Sequence, residues 1–214
     1  MWAVDLRVKI LIVGSSSNPA DFGEYAGPIM GSEQLSELHE ALGESQRLGF
    51  FGDRPIADVV AHATSFARAL EGLERSDGLP VEVVDLGSGG GIPGLVIAYM
   101  RPDFEVTLID RRTKRTDFLH RVVMRLGWSE RITVLSQDVT VLVASDPRRF
   151  DAVVARGFGP PEETLKAASE LVRAGGRAVI SEPPDGDRWS SEILTTLGFD
   201  RLSMTDRVVC FERA

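Results

Sequence analysis

Five glycines fall within the eight residues from Gly87 to Gly94, directly after an apolar segment that ends at Leu86. Glycine is needed where the backbone takes a positive φ or approaches a ligand with no Cβ in between. A glycine turn between a strand and the helix that follows it is also where an open parallel sheet binds its ligand. The spacing therefore predicts a ligand-binding loop over residues 87–94, rather than a turn that serves packing alone.

Two ligand classes fit this loop. Gly89, Gly91 and Gly94 match G-x-G-x-x-G, the fingerprint of dinucleotide-binding folds. The frame D-x-G-x-G-x-G, which starts at Asp85, is instead typical of folds that bind a nucleoside methyl donor. Asp85 favours the methyl donor, because a carboxylate there can bind the ammonium of an amino-acid tail or its ordered waters. Pro93 favours it too, since it removes an N–H donor that a pyrophosphate would use at the helix start.

Polar side chains also follow the next two predicted strands. Asp110 lies about 20 residues beyond the loop, where a carboxylate can hydrogen-bond both hydroxyls of a ribose. Asp138, preceded by Gln137, is placed to accept a hydrogen bond from an adenine amino group. Either aspartate has an alternative role as the N-cap of the helix after it. A glycine loop, a ribose acid and an adenine acid, in this order on successive strand ends, together favour S-adenosylmethionine.

The elements that position these residues alternate from Val81 onward, which predicts a mostly parallel sheet covered by helices on both faces. The predicted strands are Val81–Leu86, Phe104–Ile109, Ile132–Leu135, Phe150–Ala155, Arg177–Ser181, Phe199–Met204 and Arg207–Phe211. The predicted helices between them are Pro93–Met100, Thr113–Leu126, Val139–Ala144, Pro161–Arg173 and Trp189–Leu197. Only a Thr205-Asp206 turn joins the last two strands, so they pair antiparallel.

Two helical patterns precede the first strand. Leu35, Leu38 and Leu42 predict a helix that begins near Ser32, and a second helix runs from Pro55 to about Gly72. We expect both to form a helical cap over residues 32–75 that belongs to one domain over residues 32–214. Residues 1–31 are rich in turn-forming residues and are expected to form an irregular extension.

The charge balance limits how the chain can bind nucleic acid. The 214 residues include 24 Lys and Arg against 32 Asp and Glu, a formal net charge of −8, which excludes binding through overall charge. A local basic stripe on the predicted helix Thr113–Leu126 is the candidate phosphate track, with a solvated face as the alternative. The stripe consists of Arg111, Arg112, Lys114, Arg115, Arg121 and Arg125.

Other function classes are excluded by composition. The single cysteine, Cys210, forms neither an intramolecular disulfide nor a Cys-rich zinc site. No apolar run approaches the roughly 18–20 residues of a membrane-spanning helix. We therefore expect a cytoplasmic protein with no membrane partner and no metal.

Several motifs resemble the bacterial 16S rRNA (guanine-N7) methyltransferases, the glucose-inhibited division protein B family. The resemblance covers roughly Leu48 to Gly186 and is carried by Asp85–Gly94, Arg101-Pro102, Leu108–Arg115 with Phe118-Leu119, and Val154–Phe158. It implies an α/β fold of the class I S-adenosylmethionine-dependent, Rossmann-like type, with seven mostly parallel strands and an N-terminal helical cap. It further implies S-adenosylmethionine as the cofactor, methylation of guanine N7 as the activity, and 16S rRNA or the small ribosomal subunit as the partner.

The resemblance also assigns residues. Arg156 is the candidate catalytic residue, which would bind a phosphate or the guanine O6/N7 edge; its alternative is an ion pair with Asp151 or Glu162. The candidate cofactor-binding residues are Asp85, Gly87, Ser88, Gly89, Gly91, Asp110, Arg111, Gln137, Asp138 and Arg156. The candidate substrate-binding residues are Arg112, Lys114, Arg115 and Phe158, where Phe158 would stack on a base or, alternatively, belong to the core.

The sequence departs from the family pattern in segments that are expected to contact the substrate rather than the cofactor. The fifth strand ends in Ser181-Glu182-Pro183 where the family usually has Lys-Gly, and His62 is preceded by Ala61 rather than by arginine. The family's N-terminal Asn-x-x-x-Asn-Leu-Thr element is missing. A small-molecule methyltransferase and a catalytically inactive cofactor-binding paralogue therefore remain as alternatives, with an NAD-linked oxidoreductase more distant.

Overall fold

The computed structural model describes residues 32–147, 149–183 and 188–214, so the expected extension over residues 1–31 lies outside the described residues. The helices are α1 Ser32–Arg47, α2 Ile56–Ala69, α3 Gly94–Met100, α4 Thr113–Arg125, α5 Val139–Ser145, α6 Pro161–Leu171 and α7 Ser191–Leu197. The strands are β1 Val81–Leu86, β2 Phe104–Asp110, β3 Ile132–Ser136, β4 Phe150–Ala155, β5 Val172–Ser181, β6 Phe199–Thr205 and β7 Val208–Arg213. None of these helices is both long and apolar enough to cross a membrane.

The seven strands form one sheet in the order β3-β2-β1-β4-β5-β7-β6. The first five strands pair in parallel, and β7 lies antiparallel between β5 and β6. The prediction of a seven-stranded, mostly parallel sheet with an antiparallel final pair is confirmed. Because β1 lies between β2 and β4, the chain order reverses at β1, and ligands of open α/β sheets bind at the carboxyl ends of the strands at such a point.

Each face of the sheet has its own core. Along β1, Val83 belongs to the cluster that packs under α1 to α4, whereas Val84 belongs to the cluster under α5 to α7, as expected from the alternation of side chains in a strand. Leu38 of α1 and Phe66 of α2 are fully buried in the first cluster. The two opening helices therefore pack on the sheet beside α3 and α4.

Strand β5 begins at Val172 rather than at the predicted Arg177, and α6 ends at Leu171 rather than at Arg173. The reason is a bulge: Phe150 of β4 pairs with Val172, but Ala152 pairs with Arg177. A Cβ on Gly176 would lie 2.6 Å from the Asp151 carbonyl oxygen, so glycine permits a close approach that the hydrophobic pattern does not encode.

The hairpin between β6 and β7 also differs from the prediction. Arg207 is not the first residue of β7, because Asp206 and Arg207 form the turn with φ values of 52° and 61°. A two-residue hairpin favours positive φ at both central positions, since this matches the twist of the paired strands. Strand β6 correspondingly extends to Thr205.

Candidate active site

The glycine loop after β1 adopts the backbone that its composition predicts. Gly87, Gly89 and Gly91 have φ values of 66°, 54° and 93°, in the region that favours glycine. The Ser88 N–H donates to the Ile109 carbonyl at 2.9 Å, which ties the loop to the end of β2. The loop therefore has a fixed conformation at the carboxyl ends of two adjacent strands.

Neighbouring side chains also require these glycines. A Cβ on Gly87 would lie 2.9 Å from Cδ2 of Phe158, and one on Gly90 would lie 2.2 Å from Oγ of Ser45. That serine hydroxyl donates to the Gly90 carbonyl at 3.1 Å, so α1 supports the loop directly. The glycines thus serve packing as well as access to the loop backbone.

Asp85 is fully buried at the end of β1. Its Oδ2 accepts from the Gly94 N–H at 3.0 Å, whereas its buried Oδ1 has no partner among the described residues. Burial raises the pKa of Asp85 to about 7, against the opposing effects of the Gly94 N–H and of Arg156. The first turn of α3 offers little to a pyrophosphate, because Pro93 lacks an N–H and that of Gly94 is already taken. The free Oδ1 is suited to a cation or a water.

Asp110 joins the glycine loop to the start of α4. Its Oδ2 accepts from the Gly89 N–H at 3.0 Å and pairs with Arg115 at 3.2 Å, while its Oδ1 accepts from the Arg112 N–H at 2.8 Å. The aspartate is only 5% exposed, and the cap position of α4 is Arg112. The alternative that Asp110 is a solvated N-cap is therefore wrong.

Asp138 is exposed and caps α5, as its alternative interpretation anticipated. Its Oδ1 accepts from the N–H and the hydroxyl of Thr140, at 3.0 and 2.9 Å, and these bonds lower its pKa. Gln137 beside it is half-buried. Capping leaves Oδ2 of Asp138 without a described partner, so binding of an adenine amine stays a prediction.

A cavity of about 420 Å³ opens at the glycine loop, within the size range of small-molecule sites. The predicted site residues that line it are Gly87, Ser88, Gly89, Arg115 and Arg156. The remaining lining residues are Phe50, Phe51, Arg54, His62, Gly90, Ile92, Gly157, Ser181, Glu182, Pro183 and Arg207. The predicted site residues that do not line it are Asp85, Gly91, Asp110, Arg111, Arg112, Lys114, Gln137, Asp138 and Phe158.

Arg156 is half-buried and forms no ion pair with any described residue, so its alternative as a partner of Asp151 or Glu162 is wrong. Asp151 instead pairs with Arg75, at 3.4 Å, and with Arg173. Burial and the nearby charge of Arg54 lower the pKa of Arg156. The Arg156 guanidinium is thus available to an anion or to a base edge in the cavity.

Phe158 packs against Gly87 and against the apolar cluster under α5 to α7, which agrees with its alternative as a core residue. It is half-buried rather than fully enclosed, so a role in stacking on a base stays a prediction.

Within the basic stripe, Arg115 pairs with Asp110 and Arg125 pairs with Glu44. The four exposed stripe residues with no ion pair to a described residue are Arg111, Arg112, Lys114 and Arg121.

Of the eleven lining residues that the sequence did not predict, four have side chains that can carry a charge: Arg54, His62, Glu182 and Arg207. Each had a weak signal at most. His62 falls within a predicted helix and Arg207 within a predicted strand, and neither position indicates a cavity residue. Glu182 stood out only as a departure from a family pattern, yet its carboxylate binds the indole N–H of Trp189 and pairs with Arg188 at 3.2 Å.

Comparisons with known proteins agree on one family. The model of the family described as rRNA small subunit methyltransferase G matches residues 33–183. A ribosomal RNA small subunit methyltransferase G from Bordetella pertussis is 32% identical over 166 residues, which cover 75% of this chain and 68% of the relative. One from Rhizorhabdus wittichii is 41% identical over 91 residues, or 42% of this chain and 41% of the relative. The chain thus spans about two fifths of that relative, and a similar share, 39%, of one from Frankia casuarinae.

Solved structures with a similar fold include methyltransferases of low sequence identity. A precorrin-6y C5,15-methyltransferase from Geobacter metallireducens superimposes with a TM-score of 0.54 at 15% identity, over 73% of this chain and 88% of that one. A predicted O-methyltransferase from Agrobacterium tumefaciens gives 0.54 at 23% identity, over 70% and 79% of the two chains. At these identities the likeness establishes the fold alone, and it confirms the predicted class I methyltransferase architecture.

Proposed function

The chain belongs to the rRNA small subunit methyltransferase G family, and from this we propose that it transfers a methyl group from S-adenosylmethionine to N7 of a guanine in 16S rRNA. The names of its relatives support ribosomal RNA over a small molecule as the acceptor. An enzyme with this substrate would meet the small ribosomal subunit in the cytoplasm.

The glycine loop and the two carboxylates beside it fit S-adenosylmethionine. The Oδ1 of Asp85, which has no partner among the described residues, would hold the ammonium of the methionine end through an ordered water, because Asp85 is fully buried and does not line the cavity. Gly87, Ser88 and Gly89 line the cavity and would lie against the methionine end. Asp110 would hold the ribose, while Arg111, Gln137 and Asp138 would contact the adenosine. When bound, S-adenosylmethionine supplies an electrophilic methyl group on a sulfonium.

The chemistry asked of the chain is mainly positioning. Guanine N7 carries an exposed lone pair, so no general base is required, and holding the two reactants about 3 Å apart supplies much of the rate enhancement. Arg156 would hold the acceptor through its phosphate or through guanine O6. A cysteine nucleophile, which cytosine-C5 methylation needs, is not supported here: Cys210 lies buried in β7, and burial raises its thiol pKa to about 11.

The exposed face of α4 is the proposed contact for the RNA backbone. Arg112, Lys114 and Arg121 are exposed and form no ion pair with a described residue. Phosphates of RNA are the anions that such a patch would bind on an otherwise acidic chain.

One observation carries the proposal: the glycine loop and Arg156, whose guanidinium forms no ion pair with a described residue, line the same cavity. The test is methylation of small ribosomal subunits, from bacteria that lack their own enzyme of this family, with methyl-labelled S-adenosylmethionine. Borohydride reduction and aniline cleavage then map 7-methylguanosine. We expect label in 16S rRNA and one new cleavage site, and label confined to small molecules would favour the alternative substrate class.

A further inference from the structure

Three arginines line the same cavity, although they come from distant parts of the chain. Arg54 lies in the loop between α1 and α2, Arg156 follows β4, and Arg207 lies in the turn between β6 and β7. Within the described residues, none of the three forms an ion pair. The cluster is therefore positively charged in the state that the structure shows.

Acidic groups near this cluster form no ion pair with it within the described part of the chain. Asp85, whose charge raises the pKa of Arg156, is fully buried and does not line the cavity. Glu182, the only carboxylate among the described lining residues, is buried and already bound by Arg188 and by Trp189. Asp206, next to Arg207 in the chain, accepts from the Ser65 hydroxyl at 3.3 Å. Among the residues that the structure describes, no carboxylate forms an ion pair with the three arginines, so their positive charge is available to a ligand in the cavity.

The like charges of the cluster act on the groups that line the same cavity. Burial and, after it, the charge of Arg54 lower the pKa of Arg156. Burial and the charges of all three arginines lower the pKa of His62, against the opposing effect of a hydrogen bond with the Arg207 backbone. His62 lines the cavity, and its Nε2 has no hydrogen-bond partner among the described residues. Like charges that line one cavity repel each other, and an anion between them would relieve the repulsion.

The backbone that carries Arg207 is held in an uncommon conformation. Its φ of 61° lies in the left-handed region, which residues other than glycine seldom adopt. The Glu182 N–H donates to the Arg207 carbonyl at 2.7 Å, and the contact of Ser65 with Asp206 fixes the turn against α2. The hairpin itself favours this positive φ, and these contacts hold the turn with Arg207 beside the cavity.

The geometry points to a phosphate site: Arg54, Arg156 and Arg207 together bind the phosphate of the acceptor nucleotide. This inference rests on the methyl transfer proposed above and adds to it a defined anchor for the nucleotide. Guanidinium groups suit phosphate because their N–H donors match its oxygens in pairs. An anchor beside the glycine loop would hold the target base next to the methyl donor while α4 contacts phosphates farther along the RNA.

The test compares guanosine 5′-monophosphate with guanosine as ligands of the full chain saturated with S-adenosylhomocysteine. We expect the nucleotide to bind at least tenfold more tightly than the nucleoside. Arg54→Gln and Arg207→Gln should each reduce this preference roughly fivefold or more, the effect of one lost charge-assisted hydrogen bond. Nucleotide binding should also raise the pKa of His62, measured by NMR titration, because the phosphate offsets the three positive charges.

Arg47→Gln is the matched control, since Arg47 is exposed at the end of α1 and does not line the cavity. Equal affinity for nucleotide and nucleoside in the unmodified chain would overturn the inference. So would an effect of Arg54→Gln on S-adenosylhomocysteine affinity with the phosphate preference intact, because the cluster would then bind the cofactor carboxylate. Failure of the chain to bind S-adenosylhomocysteine at all would contradict the proposed function instead.

Discussion

The carboxylates of Asp85 and Asp110 hold the glycine loop in shape, in addition to the ligand-binding role proposed for them. Each accepts a hydrogen bond from a backbone N–H of the glycine segment, Asp85 from Gly94 and Asp110 from Gly89. Spacing along the chain predicted both residues, because acids at the ends of successive strands are where a ribosyl ligand needs them. Their second role, holding the loop in shape, depends on the folded position of those N–H groups and has no signature in the sequence.

Asp110→Ala should weaken S-adenosylhomocysteine binding by about 1–3 kcal/mol, roughly 5- to 150-fold, because a charged acceptor is lost. Isothermal titration calorimetry measures the change. Asp117→Ala, on the exposed face of α4, is the control and should leave the dissociation constant unchanged. An unaltered constant for Asp110→Ala would count against the ribose assignment.

Asp85 should make stability depend on pH in a defined direction. Burial raises its pKa from 3.8 to about 7, so the native state holds a proton that the unfolded chain has lost between these values. The free energy of unfolding of the unmodified chain, compared with that of Asp85→Asn, should therefore fall as pH rises from about 4 to about 7. Above about pH 7 the difference between the two proteins should level off. Urea unfolding of both proteins between pH 5 and pH 9 tests this, and parallel curves would show that Asp85 does not titrate in that range.

At the scale of elements, Gly87 in the glycine loop and Gly127 after α4 form a matched pair of positions. Gly87 and Gly127 have φ values of 66° and 68°, but a Cβ on Gly127 meets no atom within 4 Å, whereas one on Gly87 would meet the Phe158 ring. Alanine at either site costs about 1–2 kcal/mol of backbone strain. Gly87→Ala should in addition reduce S-adenosylhomocysteine affinity at least tenfold.

The same pair separates strain from steric conflict. Adding Phe158→Ala to Gly87→Ala should restore part of the lost affinity, because it removes the ring that the new methyl group meets. Calorimetry on the single and double variants measures this recovery. If Gly87→Ala and Gly127→Ala reduced S-adenosylhomocysteine affinity equally, the proposed steric conflict between a side chain at position 87 and the Phe158 ring would be contradicted.

Helix α4 is the element expected to contact RNA. The triple variant Arg112→Gln, Lys114→Gln, Arg121→Gln should bind small ribosomal subunits more weakly and with a shallower salt dependence. Each lost phosphate contact should lower the slope of log K against log salt by about 0.7–0.9. Filter binding over a range of KCl concentrations measures the slope.

Lys166→Gln, on the exposed surface of α6, serves as the control for the α4 variant. S-adenosylhomocysteine affinity should be unchanged in both proteins. An identical salt slope for the triple variant and the unmodified chain would show that α4 lies outside the RNA contact.

Most element boundaries could be predicted, because apolar strands and amphipathic helices leave strong local patterns. The exceptions, the start of β5 and the turn at Arg207, both depend on pairing with a neighbouring strand. The bulge opposite Asp151 and the positive φ at Arg207 arise from tertiary contacts, which no local pattern contains.

At the scale of the whole molecule, one wall of the site could be predicted and the other could not. The glycine loop and the acids share a sheet edge because parallel strands place their carboxyl ends together. The opposite wall combines the loop before α2, His62 and the β6–β7 turn, which meet only when the cap helices pack on the sheet. Arg54 and Arg207 are 153 positions apart in the sequence, and the residue types alone do not indicate that they line one cavity.

The most direct measurement is a crystal structure of the full chain with S-adenosylhomocysteine. We predict that the ligand lies along the carboxyl ends of β1 and β2, with its amino-acid end at the glycine loop and its ribose hydroxyls within hydrogen-bond distance of Asp110. A ligand bound elsewhere, or a cleft that stays closed by protein side chains at saturating ligand, would contradict the proposed methyl-donor site.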